Sequence, residues 1–149
     1  MDDSVKKAME KFDVPTGHEE FLFIFPLLYI AKADGSLSLK EAYKVMWSAM
    51  TSVTPPKGKE EQKVLQDFLK EQVTIFKTKK TLPDSEILTN AINAILSQYS
   101  SDQAKATRKA MYDSCLKVAK TSGPMFREKV SEAERNMLDS LFSDIQEPQ

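Results

Sequence analysis

Apolar residues recur along this chain at three- and four-residue spacing, the period of helices that bury one face. Val5, Ala8, Met9 and Phe12 predict a short first helix, followed by Pro15. Thr16 stands three residues before Glu19, the spacing of a capping box, so a second helix is expected from about Gly17 to Asp34. Between Phe21 and Ile30 this helix is apolar on most faces, which puts it at the centre of the core. Pro26 lies inside it and is expected to kink it or split it in two. Gly35 then ends it as a left-handed C-terminal glycine does.

Ser38 and Glu41 repeat the capping-box spacing and open a third helix, with Ala42, Val45, Met46 and Ala49 as its apolar stripe. Pro55-Pro56-Lys57-Gly58 is the clearest break in the chain. Val64, Leu65, Phe68, Leu69, Val73 and Phe76 mark a fourth helix, and Lys77, Lys79 and Lys80 fall near its end, where cations complement the helix dipole. Leu82-Pro83-Asp84 reads as a linker into a fifth helix carrying Ile87, Leu88, Ala91, Ile92, Ile95 and Leu96. Ser100 and Gln103 open a sixth, with Ala104, Met111, Cys115, Val118 and Ala119, and Gly123-Pro124 breaks it. Ser131 and Glu134 open the last, with Met137, Leu138, Leu141, Phe142 and Ile145 on its buried side. No segment alternates long enough to be a strand. The fold class is therefore all-α, a compact bundle of about seven helices. Residues 1–149 form one domain, with a short N-terminal helix in 1–15 and a tail over 146–149 expected to fray.

Two stretches say nearly the same thing. Residues 28–41 read Leu-Tyr-Ile-Ala-Lys-Ala-Asp-Gly-Ser-Leu-Ser-Leu-Lys-Glu. Residues 116–134 read Leu-Lys-Val-Ala-Lys-Thr-Ser-Gly, an inserted stretch, then Val-Ser-Glu-Ala-Glu. Each is an apolar helix end, a glycine turn and a new helix opened by Ser-x-x-Glu. The duplication sets acidic groups at two helix junctions.

Charge narrows the partner classes. Charged residues are 29% of the chain and the formal net charge is −1, with an isoelectric point near 5.9, so no nucleic-acid partner is expected. Cys115 is the only cysteine, which excludes an internal disulfide and fits a reducing, cytoplasmic compartment. The start, Met-Asp-Asp-Ser-Val-Lys-Lys, has no signal-peptide character. The longest apolar run, Phe21 to Ala31, has 11 residues. A span needs about 20, so no direct membrane span is expected, and membrane association would come through a partner.

The segment Ile30-Ala31-Lys32-Ala33-Asp34-Gly35-Ser36-Leu37-Ser38-Leu39-Lys40-Glu41 resembles the signature of TerB-like domains, the tellurite-resistance B family. Ala119-Lys120-Thr121-Ser122-Gly123 and Val130-Ser131-Glu132-Ala133-Glu134 resemble its second copy. The resemblance implies a helical bundle of two pseudo-symmetric halves and work with a protein partner inside a bacterial stress-response or membrane-associated complex. It also implies an acidic cluster for a divalent metal such as Ca²⁺ or Zn²⁺. The matching positions are Asp34 and Glu41 from the first copy and Glu134 from the second. The chain departs from the pattern where Ser122 replaces the second aspartate and where Pro124 to Lys129 are inserted. A metal that needs carboxylates from both halves has lost one here.

The residues themselves allow two readings of that cluster. Asp34 at a helix C-terminus offers a carboxylate beside free carbonyls, half of a hard-cation site. Yet capping accounts for Glu41 and Glu134, and a turn accounts for Asp34. His18 falls beside Glu19 and Glu20 and reads as a surface residue, while Cys115 reads as a buried, inert thiol. One histidine and one cysteine make neither an ordinary zinc site nor a Cys–His dyad. Lys57, Lys59, Lys77, Lys79 and Lys80 read as solvated helix ends, with a basic patch for an anionic surface as the alternative. Trp47 with Met46 and Met50 belongs to the core or its edge, and the three exposed together would mark a docking groove. Phosphate loops, nucleophile elbows and dinucleotide fingerprints are absent. The expected function is a non-enzymatic interaction or sensing module, with a metal-free scaffold as the alternative.

Overall fold

A computed structural model describes residues 2–34, 38–53, 55–78, 84–119 and 131–142, excluding the side chains of Ala33, Asp34, Lys77 and Ala133. Its elements are α1 (Asp3–Lys11), a 3₁₀ segment (Glu19–Ile24), α2 (Phe25–Asp34), α3 (Leu39–Val53), α4 (Lys59–Thr78), α5 (Ser85–Leu96), α6 (Ser101–Ala119) and α7 (Glu132–Phe142). The expected all-α bundle of about seven helices is what forms. Among the described residues there is no strand.

Local chemistry starts and stops these helices. Asp2 caps α1 by accepting the Ser4 N–H at 2.8 Å, and the Phe12 N–H closes on the Ala8 carbonyl at 2.9 Å. The turn that follows uses left-handed backbone at Asp13 (φ 55°) and Gly17 (φ 89°). A Cβ at Gly17 would meet nothing within 4 Å, so backbone conformation rather than space favours glycine there. The Thr16–Glu19 capping box does not form. The His18 N–H instead turns back to the Pro15 carbonyl at 3.1 Å, and His18 opens the 3₁₀ segment with no side-chain cap.

Pro26 produces the expected split. It has no N–H to donate to the carbonyl of Leu22, four residues back, so an α-helical ladder cannot run through it. The Phe25 N–H bonds to Leu22 at 3₁₀ spacing, and α2 restarts at Phe25. Phe25, Leu27, Leu28, Tyr29, Ile30 and Ala31 are all buried, so α2 has almost no wet face. It packs on α6, α4, α7 and the 3₁₀ segment. The first helices of the two sequence copies, α2 and α6, thus lie against each other at the centre.

The rest of the core closes around this pair. α1 packs on α5, α3 bridges α4 and α6, and α5 packs on α7. Aromatic rings tie the layers together: Phe21 lies 5.0 Å from Phe68, Phe12 4.5 Å from Phe25, and Tyr112 5.4 Å from Phe142. Such tilted and edge contacts suit the ring quadrupoles. Asp84, read from sequence as linker, is the N-cap of α5 and accepts the Glu86 N–H at 2.8 Å. Val64, one of the apolar residues that mark α4, is 36% exposed.

Two buried helix ends are closed by distant cations. Lys32 of α2 donates from Nζ to the Phe76 carbonyl of α4 at 3.0 Å, its ammonium 5.9 Å from the Phe76 ring. Arg108 of α6 donates to the Leu141 carbonyl of α7 at 2.7 Å. The last turn of a helix carries its negative pole, so a cation donating to a carbonyl there is favoured by the dipole. The lysines expected to do this for α4 are not placed: the Lys77 side chain and all of Lys79 and Lys80 lie outside the described residues.

Candidate functional site

The duplicated junctions are built by their serines. At the first, the Ser38 hydroxyl oxygen accepts the Glu41 N–H at 3.1 Å, and the Ser38 carbonyl takes the Ala42 N–H at 2.8 Å. The second junction is a full capping box. The Glu134 N–H donates to the Ser131 hydroxyl oxygen at 3.3 Å, and the Ser131 N–H donates to Glu134 Oε2 at 2.7 Å. The Ser131 hydroxyl donates to the same Oε2. One oxygen of Glu134 therefore holds two donors of its own helix start.

The three expected metal residues are placed as follows. Asp34 ends α2, and its side chain lies outside the described residues, as do Gly35, Ser36, Leu37 and the insertion at 124–129 with Ser122. Glu41 stands exposed in the first turn of α3, and Glu134 stands half-buried in the first turn of α7. Among the described residues no three His, Cys, Asp or Glu side chains group to hold a metal ion.

The structure adds a residue that the sequence reading passed over. Tyr29 of α2 is buried, and burial pushes its phenol well above the usual range, with the charges of Asp84 and Glu134 adding to the shift. Tyr29 therefore senses the capping carboxylates of both α5 and α7. A phenol raised in the folded chain favours folding below its unfolded pKa of about 10, and that contribution is lost as pH rises further. We expect stability to fall above about pH 10 and Tyr29→Phe to reduce this loss in denaturation midpoints measured from pH 8 to 11. An unchanged alkaline slope would show that another group sets it.

His18, expected at the surface, is half-buried: its ring stacks on Phe21 at 4.7 Å, and Nδ1 sits 3.5 Å from Glu20 Oε1. The apolar 3₁₀ segment draws the imidazole in. Cys115 is fully buried, and desolvation raises its thiol pKa, so the thiolate that nucleophilic chemistry requires is disfavoured. Asp2, Glu19 and Glu20 line a hollow of about 290 Å³ with Tyr99, whose phenol is raised by burial and then by Glu20 and Glu19.

One surface stripe stands out chemically. Leu39, Tyr43 and Trp47 follow at i, i+4 and i+8 on α3, the spacing that stacks side chains along one edge of a helix. Leu39 is 49% exposed, and Tyr43 and Trp47 are half-buried against the core. Lys70 of α4 holds its ammonium 5.9 Å from the Tyr43 ring. Met46 and Met50 are buried, so Trp47 meets solvent without them.

No family model, curated protein or solved structure matches the chain. Among the described residues no helix is long and apolar enough to cross a membrane.

Proposed function

We propose that this chain is a non-enzymatic, cytoplasmic, TerB-like interaction module of a stress-response system. It docks an amphipathic, acidic helix of a protein partner along the α3–α4 seam. The supporting observation is the stripe of Leu39, Tyr43 and Trp47, half open to solvent, with exposed Lys40 and Lys70 beside it. Among the described residues neither lysine has a carboxylate partner. Apolar anchors at helical spacing, edged by unpaired ammonium groups, complement a helix that carries both leucines and glutamates. A divalent metal at the Asp34 turn would act on this surface through the start of α3, because Leu39 begins that helix directly after Ser38.

Trp47 is the only tryptophan, so its emission reports on the stripe directly. A synthetic amphipathic peptide with leucines on one face and glutamates on the other should shift Trp47 emission to the blue and saturate. Leu39→Ser, which removes the apolar anchor without adding charge, should weaken that binding roughly tenfold. An emission spectrum indifferent to the peptide would end the docking reading. Ca²⁺ or Zn²⁺ should perturb Trp47 in the parent and not in Asp34→Asn. Equal responses, or none in either protein, would end the metal part.

The second reading is a metal-free scaffold whose junction acids only cap helices. The two hydrogen bonds that the Ser131 N–H and hydroxyl donate to Glu134 Oε2 favour it.

A further inference from the structure

A hollow of about 190 Å³ opens between α3 and α6. Its room corresponds to about six waters of liquid volume. Lys44 and Lys117 line it from opposite helices, with Ser48 and Ser52 on one wall and Ser114 on the other. Val45 and Ala49 supply its apolar surface. We infer that this cleft binds a small phosphomonoester, its phosphate between the Lys44 and Lys117 ammonium groups and its carbon stem on Val45 and Ala49.

The charges argue first. Among the described residues no lining residue is acidic and neither lysine pairs with a carboxylate. Two like charges around one concavity repel each other, and the low-dielectric walls focus their field into it. A dianion placed between them removes the repulsion and gains two charge-assisted hydrogen bonds. Lysine suits this role as a compact point charge.

The hydroxyls argue next. Ser52 and Ser114 already donate to backbone carbonyls, of Ser48 at 2.9 Å and Ala110 at 2.8 Å. The Ser48 hydroxyl has no hydrogen-bond partner among the described residues and can donate a third bond to a phosphate oxygen. Serine and alanine at 48, 49 and 52 also keep the hollow open, where leucine at these positions would fill it.

Propyl phosphate titrated into the full chain at about 0.15 M salt tests the assignment. Amide shifts of Ser48, Ala49, Ser52 and Ser114 should saturate, with inorganic phosphate binding more weakly because it lacks the stem. Lys44→Gln and Lys117→Gln should each weaken binding roughly tenfold. Both side chains are exposed, so the fold should survive, and the amide spectra check this. Ser48→Leu keeps both charges, fills the hollow and should weaken binding at least as much. Shifts that grow linearly without saturating, or lysine variants that bind like the parent, would overturn the site. So would undiminished binding by Ser48→Leu, which would mean diffuse attraction to surface charge. Inorganic phosphate binding as tightly as the ester would overturn the monoester assignment.

Discussion

Replacing Phe21 by alanine should lower folding stability by about 3–5 kcal/mol, measured as a shift in the urea midpoint at constant slope. The ring is 2% exposed, stacks on His18 and tilts against Phe68. It belongs to a 3₁₀ segment, whose hydrogen bonds have poorer geometry than an α-helix, so side-chain packing must hold the segment in place. Losing the ring opens a cavity at the entrance to α2. A cycle with Phe68→Ala should return a coupling of about 0.5–1.5 kcal/mol, the share of the ring pair beyond area burial. A loss below about 1 kcal/mol for Phe21→Ala would mean that the segment repacks and the ring is no anchor.

The second large effect is expected at Arg108. Arg108→Met keeps length and helix propensity but leaves the Leu141 carbonyl at the end of α7 without its charged donor. Hydrogen bonds to charged groups contribute about 1.5–3 kcal/mol, and Arg108 is half-buried, where water replaces such a donor poorly. The loss should be local as well as global. Amides of α7 should exchange faster in native-state hydrogen exchange, while those of α4, closed by Lys32, keep their protection. Unchanged stability and unchanged α7 exchange together would show that solvent satisfies Leu141 as well as arginine does.

The contrast between these helix ends and helix starts explains what was legible in the sequence. Ser38, Ser100 and Ser131 each bond the N–H three residues on, because a capping box is encoded within four residues. The apolar run of α2 and the interruption at Pro26 were legible for the same reason. Lys32 and Arg108 act across 44 and 33 residues, and no local pattern announces such a partner. Thr16 and Glu19 show the converse. Their spacing is right, but the chain makes a tight turn at Pro15 and begins a 3₁₀ segment at His18, leaving no α-helical start to cap. Asp84, at the end of the linker, is the N-cap of α5, and Asp-Ser-Glu ahead of an apolar stripe is itself a start signal. Of the candidate metal residues, the sequence conveyed the capping role of Glu134. Tyr29 went unnoticed because its surroundings come from α5 and α7, far along the chain.

The nearly fully apolar α2 has a consequence during synthesis. Its principal cover, α6, ends at Ala119, so 85 residues of chain must follow Asp34 before that surface can close. At a synthesis rate of about 5–20 residues per second, the helix stays uncovered for several seconds. A greasy segment displayed that long on a growing chain invites holdase binding or self-association. The Pro26 break and the lysine at position 32 are the interruptions that α2 offers against that hazard.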